Sequence, residues 1–221
     1  MMPAMRATAL AWLLLVASCA VTPPVQDRTW YWLDARPPEA YTLQIHDDRA
    51  AIRADCNRGT GTVTAQGERI SFGPMAMTRA FCRPPSRGDE YARQLQSAER
   101  LSVYGDVLRM ELKGGGAMYF ATDTKARLAQ FRCRDEQVMS VVYLGDTAQV
   151  WFREEHFVLN RAPAASGALY ADGTLGMLQQ ARAASGGLYA EGTVEFRTQG
   201  IFATLRKGDA VLAHNCQLPS H

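Results

Sequence analysis

The sequence predicts a mainly β protein with one helix, divided into two small domains. Three observations carry that expectation. Short runs of alternating apolar and polar residues recur between Gly- and Asp-containing turns, as half-buried strands require. Only Ser86 to Ala98 carries convincing helical spacing. Between the two halves, Ala121 to Gln130 (ATDTKARLAQ) breaks the alternation and reads as a linker or a short helix.

The chain opens on an export signal. Arg6 supplies a positive charge, and Ala9 to Ala17 (ALAWLLLVA) forms an apolar stretch too short for a membrane span, which needs about 20 residues. Val16-Ala17-Ser18-Cys19 follows and resembles the bacterial lipobox. The resemblance implies removal of residues 1–18 and attachment of a diacylglycerol to the Cys19 sulfur. Ala20 in place of Asp points to the outer membrane, so the expected location is the cell envelope, lipid-anchored and facing the periplasm. Residues 19–27, with Pro23 and Pro24, read as a lipidated tether outside any core.

Regular structure is expected from Arg28. Tyr41, Leu43 and Ile45 share one strand face, Ile52, Ala54 and Cys56 another, and Ile70 and Phe72 a third. Gly59, Gly61 and Gly67 are read as turns between them. Ser86 with Asp89 makes an S-x-x-D capping pattern, after which Tyr91, Leu95 and Ala98 recur at helical spacing. Leu108 to Leu112 and Ala117 to Phe120 flank the turn Lys113-Gly114-Gly115-Gly116, closing a first domain over 28–121. From Phe131 only strands are expected, in a second domain over 131–218. Gly145-Asp146 and Gly208-Asp209 mark its hairpins. Ala165 to Thr174 (ASGALYADGT) recurs as Ala184 to Thr193 (ASGGLYAEGT), a spacing too short for a helical solenoid.

Four cysteines remain after Cys19, and an oxidising compartment favours disulfides. Of three pairings, Cys56 with Cys82 and Cys133 with Cys216 keeps each bridge inside one half. His46, His156, His214 and His221 are scattered and no C-x-x-C occurs, so neither metal nor cofactor is expected. The net charge of +2 is dispersed, which argues against a nucleic-acid partner. No Ser/His/Asp set, carboxylate dyad or phosphate loop stands out, so an enzyme is not expected.

Two family resemblances sharpen this. Asp55-Cys56-Asn57-Arg58-Gly59-Thr60-Gly61, Phe72 to Cys82 (FGPMAMTRAFC), the Trp30 opening and the Asp89-Glu90-Tyr91 helix start resemble the META domain family, which includes the HslJ-like heat-shock proteins. That resemblance implies a strongly bent β-sheet packed with one helix and no known reaction. The polar clusters Asp55–Arg58 and Thr78–Arg79 are read as structural, with Asn57 and Gly59 shaping a turn.

The second half resembles the membrane-bound inhibitors of c-type lysozyme, the MliC-like family. Phe131-Arg132-Cys133 and Asn215-Cys216 match its opening and closing strands. Ser185-Gly186-Gly187-Leu188-Tyr189, then Phe196-Arg197-Thr198-Gln199-Gly200 and Ala203-Thr204-Leu205, follow its S-G-x-x-Y, F-W-x-K-G and A-x-L order. The resemblance implies an antiparallel β-barrel whose loop Ser and strand Lys enter the lysozyme cleft and bond its catalytic carboxylates. The partner expected is therefore c-type lysozyme or a related muramidase, with the membrane contacted through the lipid.

Two positions depart from the pattern: Arg197 replaces the Trp and Gln199 the Lys. Two residues apart on a strand, they share a face, so Arg197 is placed to restore the missing cation. Ser185, Gly186, Tyr189, Arg197, Gln199 and Gly200 form the expected inhibitor site. The first copy, Ser166, Gly167 and Tyr170, is the alternative loop. The alternative function is a non-enzymatic structural or stress lipoprotein whose inhibitor motif has decayed.

Overall fold

The computed structural model describes residues 25–172 and 193–219. Two eight-stranded antiparallel barrels follow one another along the chain. The first uses β1 (Thr29–Trp32), β2 (Tyr41–His46), β3 (Arg49–Ala54), β4 (Asn57–Gln66), β5 (Arg69–Phe72), β6 (Ala76–Met77), β7 (Ala98–Tyr104), β8 (Val107–Leu112) and β9 (Ala117–Ala121). The strand order is β3-β2-β1-β9-β8-β7-β5-β4, and β3 pairs with β4 to close it, with β6 attached outside on β4. The expected bent sheet thus bends as far as closure. Long β4 makes this possible: residues 57–62 pair with β3 and residues 63–66 with β5.

Gly59 and Gly61 lie inside β4 and are not turns, unlike Gly67. Their role is close packing. A Cβ at Gly59 would sit 2.1 Å from the Met77 sulfur, and one at Gly61 3.0 Å from the Pro74 carbonyl oxygen. Bare backbone here lets the segment from Pro74 to Met77 lie close along β4.

Helix α1 (Gly88–Gln96) plugs this barrel with fully buried Tyr91 and Leu95. Tyr91 stacks on Trp32 at 5.1 Å and meets Tyr41 edge-on at 5.8 Å. Ser86 is not the N-cap that the S-x-x-D pattern suggests. Ser86 Oγ accepts the Gly88 N–H, while the N-cap is Arg87, whose own N–H is held by the Tyr41 hydroxyl at 2.9 Å. Arg87 also pairs with Glu90 and Asp34, tying the helix start to the loop after β1. The tether ends earlier than its composition suggested. Val25 is fully buried, and its carbonyl accepts the Trp30 indole N–H at 2.8 Å.

The second barrel comprises β10 (Arg127–Arg132), β11 (Val138–Leu144), β12 (Thr147–Phe152), β13 (Glu155–Ala162), β14 (Ala168–Ala171), β15 (Val194–Gln199), β16 (Phe202–Lys207) and β17 (Ala210–Gln217), closed in that order. β10 begins inside the segment read as a linker, because Leu128 and Ala129 each find an apolar cluster on opposite faces of the strand. Phe131, Phe152, Phe196 and Leu205 fill the interior. Closure between β10 and β17 rests on a single register pair, Arg132 with Gln217. The Cys133–Cys216 disulfide stands beside that seam, and Cys56–Cys82 ties the start of β4 to the loop after β6. The chain-entropy model makes the first of these worth roughly 4–5 kcal/mol.

The barrels pack on each other. Leu33, Val107, Tyr119 and Ala121 of the first join Val142 and Trp151 of the second in one buried cluster. Trp151 lies 5.2 Å from Tyr119, and the Gln149 amide donates to the Tyr104 carbonyl oxygen at 3.0 Å. His156 is sandwiched between Tyr104, at 3.8 Å, and Trp151, at 4.6 Å. Burial, and then the nearby Arg109 charge, pull its pKa down to about 4.

Candidate functional site

The site is built on the edge shared by β14 and β15. Along β15, Val194 and Phe196 point inward while Arg197 and Gln199 are exposed on the outer face. Strand alternation therefore places the guanidinium and the amide on one surface. The ion pairs of this barrel among the described residues are Arg153–Asp135 and Lys207–Glu155, so Arg197 is left without a carboxylate partner. Gly200 follows at φ +59, a left-handed turn that suits glycine, and folds β15 into β16.

β14 pairs with β15 in the register Ala168–Thr198, Leu169–Arg197 and Tyr170–Phe196. This brings the first S-G-x-x-Y copy to the site. Ser166 is exposed, and Gly167 lies against the β15 backbone at φ +70. A Cβ there would be 2.0 Å from the Thr198 carbonyl oxygen, so only glycine allows so close a seat. Tyr170 does not reach the surface. It is buried 5.6 Å from Tyr143 and 6.2 Å from Phe196, where it shapes the core beneath the site. Burial also pushes the Tyr143 phenol well above its ordinary range.

Of the expected site residues, the structure seats Gly167 against Gln199, leaves Ser166 exposed beside it, and sets Arg197 and Gln199 on one face of the strand that ends at Gly200. Ser185, Gly186 and Tyr189 lie outside the described residues, as does Cys19. The first barrel packs against β10, β11, β12 and β13, and Arg197 and Gln199 lie outside that junction on β15.

In the first barrel, the polar residues of the motif around Asn57 serve the fold. Asn57 Oδ1 accepts the Ala80 N–H at 2.7 Å, and its Nδ2 donates to the Ala80 carbonyl oxygen at 3.1 Å. The Thr78 hydroxyl bridges Asn57 Oδ1 and the Arg58 N–H, both at 3.0 Å. Asn57 thus acts as a side-chain extension of β4, gripping the loop that the disulfide also holds.

Sequence reasoning did not single out Ile201 and Phe202, which are 53% and 47% exposed beside Gln199. An apolar pair at the tip of a tight hairpin was the available signal, since such turns are ordinarily polar.

Comparison with known proteins agrees with this two-barrel division. The META domain family model matches residues 24–125, and that of the membrane-bound lysozyme-inhibitor of c-type lysozyme matches residues 131–177. The second match includes Ser166 to Tyr170 and ends before Ser185. Neither family description names a reaction. No curated protein matches the chain. Among solved structures, the NMR structure of the protein from Burkholderia xenovorans is similar, at 21% identity and a TM-score of 0.39. It covers 48% of this chain and 94% of that one. The META model thus spans the first barrel, and the lysozyme-inhibitor model spans the second from the end of β10 through β14.

Proposed function

We propose that this protein is an envelope lipoprotein, anchored through Cys19 in the outer membrane and facing the periplasm, that binds and inhibits c-type lysozyme with the β14–β15 edge. The observation that carries the reading is the seat of Gly167, with exposed Ser166 before it, against Thr198 and Gln199 of the strand whose outer face carries Arg197 and Gln199.

The chemistry follows from the target. A retaining glycosidase needs one carboxyl group protonated and one ionised. The Ser166 hydroxyl can hydrogen-bond either form. The Arg197 guanidinium favours the ionised form and cannot itself lose its proton. Gln199 adds a neutral donor where the family carries a cation. A plug of this kind blocks the substrate and biases the acid–base pair together. From Phe131 to His221 there are eight Arg and Lys against nine Asp and Glu, so the domain as a whole does not repel a basic partner.

The test uses the soluble chain beginning at Ala20 in a cell-wall lysis assay with c-type lysozyme. Wild type should slow lysis, Arg197→Ala should abolish the effect, and Ser166→Ala should weaken it. Gln199→Lys should add little if Arg197 already serves the carboxylates. If it instead tightens inhibition by about 1–3 kcal/mol, the scale of a charged hydrogen bond, Arg197 is not the replacement cation. A wild-type chain that neither binds nor slows lysozyme would leave the structural or stress lipoprotein with a decayed motif as the reading.

A further inference from the structure

We infer that the lysozyme-binding surface does not end at β15 but runs across β16 and β17 to β10, where Phe202 and Arg132 grip the wall of the glycan cleft. This rests on the proposed function and specifies its contact area. The register defines the row: Gln199 pairs with Phe202, Phe202 with Gln217, and Gln217 with Arg132. Directly paired residues project to the same side of a sheet. All four are exposed, while their neighbours Ala203, Cys216 and Phe131 point into the barrel. The candidate site is therefore one end of a continuous outer band.

The band has a distinct chemistry. Ile201 and Phe202 present apolar surface that the fold leaves in water, beside a recess of about 600 Å³ also lined by Arg132, Arg134 and Leu218. Neither arginine takes part in an ion pair among the described residues, and the nearby Asp135 is held by Arg153. The surface thus pairs bare apolar groups with uncommitted guanidinium groups. A muramidase cleft offers apolar walls for sugar rings, flanking the catalytic carboxylates that Arg197 is proposed to meet. Planar guanidinium groups suit carboxylates, which they can bind through two hydrogen bonds at once. The occupant assigned to this band is the apolar wall of the lysozyme cleft beside the catalytic pair, with Arg132 directed to an acidic group on its rim.

Two variants of the soluble chain, Phe202→Ser and Arg132→Glu, test this in the lysis assay. Val211→Ser, another apolar residue that is 50% exposed but lies outside the row, is the control. Each test variant should raise the half-inhibitory concentration by about tenfold or more, as losing an interface anchor does, while the control should not. Matching thermal midpoints would show that folding is unaffected. If wild type inhibits and both variants inhibit equally well, the band is not part of the contact, although the β14–β15 reading stands. If wild type itself fails to inhibit, that reading falls and takes the band with it. Should Phe202→Ser instead convert a dimer to a monomer in sedimentation without altering inhibition, the band is a self-association surface and the inference is overturned.

Discussion

The histidine wedged between the barrels should make their junction acid-sensitive. His156 sits between Tyr104 and Trp151, with Nε2 3.3 Å from the Gln149 amide oxygen. Burial and the Arg109 charge lower its pKa from 6.5 to about 4. Above pH 6.5 the ring is neutral in both folded and unfolded chains and contributes no pH dependence. Below that, the unfolded chain takes up a proton that the folded chain refuses, so stability falls as pH drops and levels off near pH 4. The full shift would correspond to at most about 3.4 kcal/mol. The ring keeps an exposed edge, so solvent screening reduces the expected loss to about 1–2 kcal/mol. In His156→Gln that component is gone. Urea unfolding at pH 7, 5.5 and 4.5 should therefore show wild type losing about 1–2 kcal/mol more than the variant across this range. Parallel pH profiles would mean that His156 titrates normally and that the junction does not exclude its charge.

Three further outcomes follow from the packing. Gly167→Ala forces a side chain into a left-handed position against the Thr198 carbonyl oxygen, and should cost about 1–3 kcal/mol by thermal unfolding while weakening lysozyme inhibition. An unchanged midpoint with full inhibition would contradict the seat of the loop on β15. Gly59→Val should push β6 away from β4 and destabilise the first barrel by about 1–3 kcal/mol, with no effect on inhibition beyond that of folding. Cys19→Ser should leave the precursor without acyl label when cells are fed a fatty-acid probe, because serine offers no thiol; retained label would exclude Cys19.

Strand content and the division into halves were legible because alternation is a local property. β2 and β3, for example, each bury every second residue as the sequence suggested. Closure of the first barrel was not, since it depends on how β4 divides its length between two partners distant in sequence. Gly59 and Gly61 read as turns in the sequence because glycine alone does not distinguish a reversal from a close approach of two strands. Val25 was assigned to the tether because one apolar residue beside two prolines carries no period.

The junction between barrels did have a signature. Met118 to Ala121 and Ala148 to Phe152 are buried without interruption, which marks strands covered on both faces. At the site, the shared face of Arg197 and Gln199 was readable from strand periodicity. The seat of Gly167 on β15 was not, because it depends on the pairing of β14 with a strand more than twenty residues further along the chain. Phe202 was likewise hidden, since Phe202, Ala203 and Leu205 read as one apolar strand until the fold turns Phe202 outward.

As an inhibitor of the proposed kind, the second barrel would occupy the catalytic cleft of c-type lysozyme. Calorimetric titration of the soluble chain into lysozyme, with and without a saturating chitin oligosaccharide in the cleft, tests this most directly. The chain should bind free lysozyme and lose that binding when the sugar fills the cleft. Binding that persists unchanged beside the bound sugar, or no binding to the free enzyme, would contradict it.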